Sequence, residues 1–139
     1  MNFISVWNSI VSSNGASYNL STGELNPETG YMVAQENPSA SFPMPKSLNE
    51  FQDVIQTYLT STTLNELVNS PTLYLGFWVN YGRLIIDLSE NIQDRAQAFG
   101  LGVDRSQLAI YDCANKKDID LSHVFASLRD VDILTDKKY

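Results

Sequence analysis

The sequence predicts an α+β protein of the ferredoxin-like type, and three observations carry that expectation. From residue 31 onward, strand-like and helix-like periodicities follow one another as strand, helix, strand, strand, helix, strand, the order of a split β-α-β repeat. Residues 72–88 hold two apolar runs joined by Asn80-Tyr81-Gly82, a short hairpin turn. Hydrophobic residues make up 43% of the 139, enough for one continuous core. Two helices would cover one face of a four-stranded antiparallel sheet, with an N-terminal helix and the strands of 16–35 as additions.

The elements follow in order. Phe3, Ile4, Val6, Trp7, Ile10 and Val11 fall at helical spacing, and Ser12-Ser13-Asn14-Gly15 is a stop, so a helix is expected over 3–13. Its wide apolar stripe should be docked, or should serve as a dimer contact. Ala16–Leu20 reads as a short strand. The stretch "NLSTGELNPETGYMV" then holds two Thr-Gly pairs around Pro27. Each Gly suits a tight turn, and Pro27 fixes φ at a central turn position. A phosphate cradle would want more glycines, a following helix and usually a lysine. This loop has no Lys or Arg and two glutamates, so the ligand it excludes is an anion.

Tyr31–Gln35 reads as a strand and residues 37–45 as a linker rich in Pro and Ser. Ser47-Leu48-Asn49-Glu50 is a capping box, after which Leu48, Phe51, Val54, Ile55, Tyr58 and Leu59 make one helical face. Leu64, Leu67 and Val68 suggest a short turn before Pro71. In 72–79, Leu73, Leu75, Phe77 and Val79 share one face and Tyr74 and Trp78 the other, as in a central strand covered on both sides. Gly76 marks a close approach there, and the N-terminal helix is a candidate cover for the aromatics. Arg83–Leu88 returns. Ser89 or Asn91 can cap the next helix, with Asp94 in its first turn, Ile92, Ala96 and Phe99 buried, and Gly100 and Gly102 as its end. Gln107–Asp112 is a strand with Leu108 and Ile110 alternating. Residues 115–118 read as a turn. Leu121, Val124, Phe125 and Leu128 suggest a short helix, and 136–139 a solvated tail.

Composition excludes several functions. The net charge is -7, with -5 carried by residues 1–82 and -2 by residues 83–139. No basic surplus exists to displace counterions, so direct nucleic-acid binding is not expected, and neither is an anionic membrane surface. One cysteine, Cys113, and one histidine, His123, exclude an intrachain disulfide and a Cys/His zinc site within the chain. The start carries no signal-like n- and h-regions, and no apolar run approaches membrane length. The expected setting is the reducing cytoplasm.

No set of residues reads as catalytic, cofactor-binding or metal-ligating. The nearest approach is a polar cluster: Asp87, Glu90 and Asp94 beside Arg95, with Asp112 ending a neighbouring strand. It could hold a divalent cation or a substrate through oxygen ligands. It could equally be helix-end charges and ion pairs of Asp87 or Asp112 with Arg95 or Arg105. In the loop, Thr22, Glu24, Glu28, Thr29 and Tyr31 are the candidate contact residues.

Three segments together resemble a known group: "GASYNLSTGELNPETGYMV", "YLGFWVNYGRLIIDLSENIQDRAQAFGLG" and "RSQLAIYDCANKKDI". The pattern is carried by Tyr18, Thr22, Gly30, Tyr31, Gly76, Trp78, Asp87, Ser89, Asp94, Arg95, Ala96, Ala98, Gly100, Gln107, Ala109, Ile110 and Asp112. It is similar to a family of small uncharacterised proteins of phages, prophages and conjugative elements. The resemblance covers residues 15–119 of an expected single domain, leaving a helix in 1–14 and an extension in 120–139. It implies an accessory role in a mobile element, of the kind that inhibits host restriction or CRISPR systems, and brings no established activity. Three readings stand: a binder of a host defence protein, a small enzyme or ligand-binding domain using Asp87, Asp94, Arg95 and Asp112, and a structural homodimer.

Overall fold

The computed structural model describes residues 1–124. Four helices and six strands follow one another: α1 (Phe3–Ser13), β1 (Gly15–Tyr18), β2 (Tyr31–Pro43), α2 (Leu48–Tyr58), α3 (Ser61–Asn69), β3 (Leu73–Asn80), β4 (Arg83–Ile92), α4 (Arg95–Asp104), β5 (Ala109–Asp112) and β6 (Lys117–Asp120). The strands form one antiparallel sheet in the order β1-β3-β4-β2-β5-β6. The architecture is α+β.

The sheet has two unlike faces, set by the register. Leu75 lies opposite Leu88, Phe77 opposite Ile86 and Val79 opposite Leu84, so these six share a face. That face carries the helices. Val6 and Ile10 of α1, Phe51 and Ile55 of α2 and Leu67 of α3 are buried in the same cluster as Leu75, Leu84, Ile86 and Leu88. Trp7 stacks on Phe51 with centroids 5.2 Å apart, and Phe51 meets Phe77 edge-on at 5.5 Å. A second cluster on the same side joins Ala98 of α4 to Val33, Ile110 and Leu121.

Local chemistry sets the element ends. Asn14, at φ 65°, closes α1 in the left-handed region, and its carbonyl then accepts from the Val79 N–H at 3.0 Å. Ser47 caps Glu50 N–H at 3.2 Å, as the capping box predicts, but the Glu50 carboxylate reaches the Lys46 N–H rather than that of Ser47. The β3–β4 turn places both Tyr81 and Gly82 at positive φ, the geometry whose twist suits a two-residue hairpin.

Several expectations are corrected. Residues 37–43 are not linker: Ser39–Pro43 pair with β4 as the second half of β2. The alternation there is real but written in small residues. Ala40 and Phe42 enter the core, Ser39, Ser41 and Pro43 face outward, and residues 35–38 form a bulge between paired Ala34 and Ser39. Residues 61–69 form a true helix, capped by Thr60, not a turn. Strand β4 continues to Ile92, so neither Ser89 nor Asn91 caps the following helix; Asp94 does, accepting from Ala96 N–H at 3.0 Å. That shift turns the helix. Ala98 and Gly102 are buried, while Ala96 and Phe99 are exposed.

Gly100 and Gly102 do not end α4 but lie inside it, and Gly102 serves packing there: a Cβ would stand 2.7 Å from Leu121 and 2.8 Å from Ile110. Leu108 precedes β5 and is exposed. Residues 117–118 belong to β6, and the turn is confined to the preceding residues, with Lys116 at φ 55°. Helix α1 packs with α2, so it is not the cover of the Trp78 side, which carries no helix among the described residues. Phe125, Leu128 and the 136–139 tail lie outside the described residues. No helix among the described residues is long and apolar enough to cross a membrane.

Candidate functional site

The face that carries no helix among the described residues is where the polar chemistry gathers. Register places Tyr74, Gly76 and Trp78 of β3 opposite Ser89, Asp87 and Ile85 of β4. Asp87 sits at the centre, only 9% exposed. Gly76 makes its place: a Cβ there would lie 2.4 Å from Asp87 Oδ1 and 3.3 Å from Ser89 Oγ. The glycine that reads as a close approach thus admits a carboxylate rather than a helix. Ser89 donates its hydroxyl to Asp87 Oδ1 at 3.1 Å. Burial pushes the Asp87 carboxyl up to about 6, against the support its charged form receives from Ser89 and the Trp78 indole.

The loop 19–30 closes one end of this face. Asn19, fully buried, organises it. Its Oδ1 accepts from the Ser21 and Thr22 N–H groups at 2.8 and 3.0 Å, and its Nδ2 donates to Pro71 O at 2.7 Å. Thr22 Oγ1 accepts from Glu24 N–H at 3.2 Å. Glu24, itself exposed, accepts the hydroxyl of Tyr74. Burial first, then that hydrogen bond, pushes the Tyr74 phenol up to about 12. Tyr74 packs with Met32 and Cys113. Burial, with the charge of Asp112 behind it, pushes the Cys113 thiol up to about 11, so it is neutral and a poor nucleophile at pH 7.

Thr29 offers its carbonyl to Asn91 Nδ2 at 3.0 Å. Gly30, at φ 78°, lies where a Cβ would meet Gln93 Nε2 at 2.6 Å. Glu28 is exposed. Of the five candidate loop residues, Thr22 and Glu24 build the loop, Thr29 ties it to β4, and Tyr31 opens β2.

The five-residue polar cluster does not converge. Asp87 is on the uncovered face. Glu90 is on the opposite one, paired with Arg105 and accepting from Gln35 Nε2 at 3.3 Å. Asp94 caps α4. Arg95 lies over the Tyr31 ring, 5.8 Å from its centroid. Asp112 accepts from the Asn115 side chain at 2.7 Å and its backbone N–H at 3.2 Å. Those bonds, the Ala114 N–H and the nearby Arg95 charge hold the Asp112 carboxyl below its usual range. Among the described residues, no three His, Cys, Asp or Glu side chains stand close enough together to hold a metal ion.

Sequence reasoning missed Asn19 as an organising group, read Ser89 as a helix cap where it donates to Asp87, and gave Arg105 an ion pair with Asp87 or Asp112 where the structure pairs it with Glu90. Asn19 precedes Ser21-Thr22-Gly23, and Asn two residues before a turn N–H is a recognisable signal. Ser89 carries no such signal, because its role depends on Asp87 standing two residues away on the same strand face. No protein-family model matches the chain, and neither does a curated protein or a solved structure.

Proposed function

We propose that the chain is a non-catalytic accessory protein of a mobile genetic element that acts by binding another protein, a host defence nuclease of the restriction or CRISPR type. The observation that carries the protein-binding part is the sheet face without helices. Trp78 is 44% exposed there, flanked by half-buried Ile85 and by the buried carboxyl of Asp87. Tyr111, 38% exposed, lies on the same face three strands away. An aromatic anchor beside buried polar groups is the composition of an interface centre. The -7 charge favours a basic partner surface over nucleic acid.

The mobile-element setting and the host cytoplasm rest on the resemblance of residues 15–119 and on a single unpaired cysteine. The ferredoxin-like reading belongs to the same proposal. Its support is the sheet order β5-β2-β4-β3 and the packing of α2 and α4 against one face. The enzyme or ligand-binding reading is weaker, because Asp87 is separated by the sheet from Glu90, and Asp94, Arg95 and Asp112 are engaged in a cap, a ring contact and a turn.

The test is capture of host proteins on the tagged chain, followed by assay of each captured nuclease with and without the chain. Inhibition by the parent, lost in Trp78→Ala with an unchanged melting temperature, is the expected result. A chain that captures no nuclease and forms a stable dimer through Trp78 would replace this reading with the homodimer.

A further inference from the structure

Strand β2 has partners on both sides only at its start. It pairs with β4 along Tyr31–Ala34 and Ser39–Pro43, but with β5 only at Tyr31 and Met32. Among the described residues its second half therefore has an open edge. The register says which backbone groups face it. Met44 N–H donates to Gly82 O at 3.2 Å, and hydrogen-bonded pairs recur at every second residue of an antiparallel ladder. Phe42 with Leu84 and Ala40 with Ile86 thus exchange bonds with β4. The N–H and C=O groups of Ser39 and Ser41, and the C=O of Pro43, point away from β4. Pro43 occupies a position where proline removes no bond to β4. Among the described residues, the group that reaches this row is Arg83, whose Nη2 donates to Ser41 O at 3.2 Å.

We propose that this edge takes up an extended segment of a partner protein as an added β-strand, and that the segment carries a lysine or arginine directed at α2. A row of outward N–H and C=O groups is matched by another extended backbone. Five residues of β2 offer a track of about 17 Å. At its Pro43 end lies a groove of about 340 Å³ with apolar walls from Pro43, Met44 and Val54 and charged ones from Lys46, Glu50 and Asp53. The Glu50 carboxylate is occupied by the Lys46 N–H. Asp53 is exposed and has no ion-pair partner among the described residues. An aliphatic stem on the apolar walls with a cationic head at Asp53 fits that lining.

A second copy of the chain fits less well. Two chains of charge -7 repel. Two such edges related by a two-fold axis at Ser41 would also set Pro43 opposite Ser39, where the missing proline N–H leaves a Ser39 carbonyl unmatched at each end. The edge is distinct from the Trp78 face, so this site and the nuclease-binding reading can fail separately.

The probes are two short fluorescein-labelled peptides, one of alternating valine and lysine and one of alternating valine and glutamate. Anisotropy should show the lysine peptide binding at least about tenfold more tightly. At saturation, amide exchange at Ser39 and Ser41 should slow by about tenfold or more. Ser41→Pro, which removes an outward N–H, should abolish binding. Asp53→Lys should weaken the lysine peptide at least about fivefold, with the melting temperature held. Should Ser41→Pro fail to fold, the exchange map and Asp53→Lys still decide. Absence of binding by either peptide at concentrations on the order of 1 mM overturns the site, as does slowed exchange around Trp78 instead. Protection of Ser39 and Ser41 without peptide, in a chain that scatters light as a dimer, assigns the edge to a second copy and also overturns it.

Discussion

On the helix-bearing side of the sheet, Leu75, Leu84, Ile86 and Leu88 are fully buried under α1 and α2. On the other side the same two strands present Tyr74, Gly76, Trp78, Asp87 and Ser89. The first set is accounted for by packing: removing apolar surface from water favours it, and interlocking shapes fix it. The second is not. A carboxyl group raised from 3.8 to about 6 costs about 3 kcal/mol in its charged form at neutral pH. An asparagine of similar shape would avoid that cost. The binding surface proposed above would give a reason to keep an acid there, where packing gives none.

The largest expected effect separates the two faces directly. Phe51→Ala removes a fully buried ring that contacts Trp7 and Phe77, and denaturant unfolding should show a loss of about 3–5 kcal/mol. Trp78→Ala should lose no more than about 1 kcal/mol. Comparable losses at both positions would break the contrast.

Next comes Asp87→Asn. The folded carboxyl holds its proton more tightly than the unfolded one, so its stabilising contribution is complete below pH 3.8 and is lost as pH rises through about 6. Asp87→Asn should therefore gain up to about 3 kcal/mol at pH 8 and close to nothing at pH 4. Melting curves across that range would flatten in the variant. A variant as pH-sensitive as the parent would remove the premise that Asp87 is held at a cost.

The smallest effect sharpens the helix-bearing side. Asp94→Ala deletes the cap of α4 and should lower stability by about 1 kcal/mol. The partner binding proposed at the Trp78 face should be unchanged.

The contrast between the faces also explains what could be read in the sequence. Residues whose surroundings are apolar announced themselves through spacing. Val6 and Ile10, Phe51 and Ile55, and the alternation of Leu73, Leu75 and Phe77 each follow one period. The capping box at Ser47 and the turn at Tyr81-Gly82 were legible for a similar reason: their chemistry is local. The second half of β2 was not, because Ser-Ala-Ser-Phe-Pro alternates in burial but hardly in hydrophobicity, and Pro43 falls where no bond to β4 is at stake. Gly102 read as a helix stop because the side chains that require it, Ile110 and Leu121, are distant in sequence. Asp87 was legible as a residue of interest but not as one isolated from Glu90, since strand parity separates them only once β4 is known to run through both.

Trp7 and Trp78 are the chain's two tryptophans, and the fold puts one on each side of the sheet, which makes the molecule its own optical probe. With Trp7→Phe, the remaining indole stands beside a carboxyl that gains its proton near pH 6, so the intensity and colour of its emission become a titration of that single group and a direct signal of anything that settles over it. With Trp78→Phe, the surviving emitter lies against Phe51 and is silent to events on the far side until the helical layer itself comes apart.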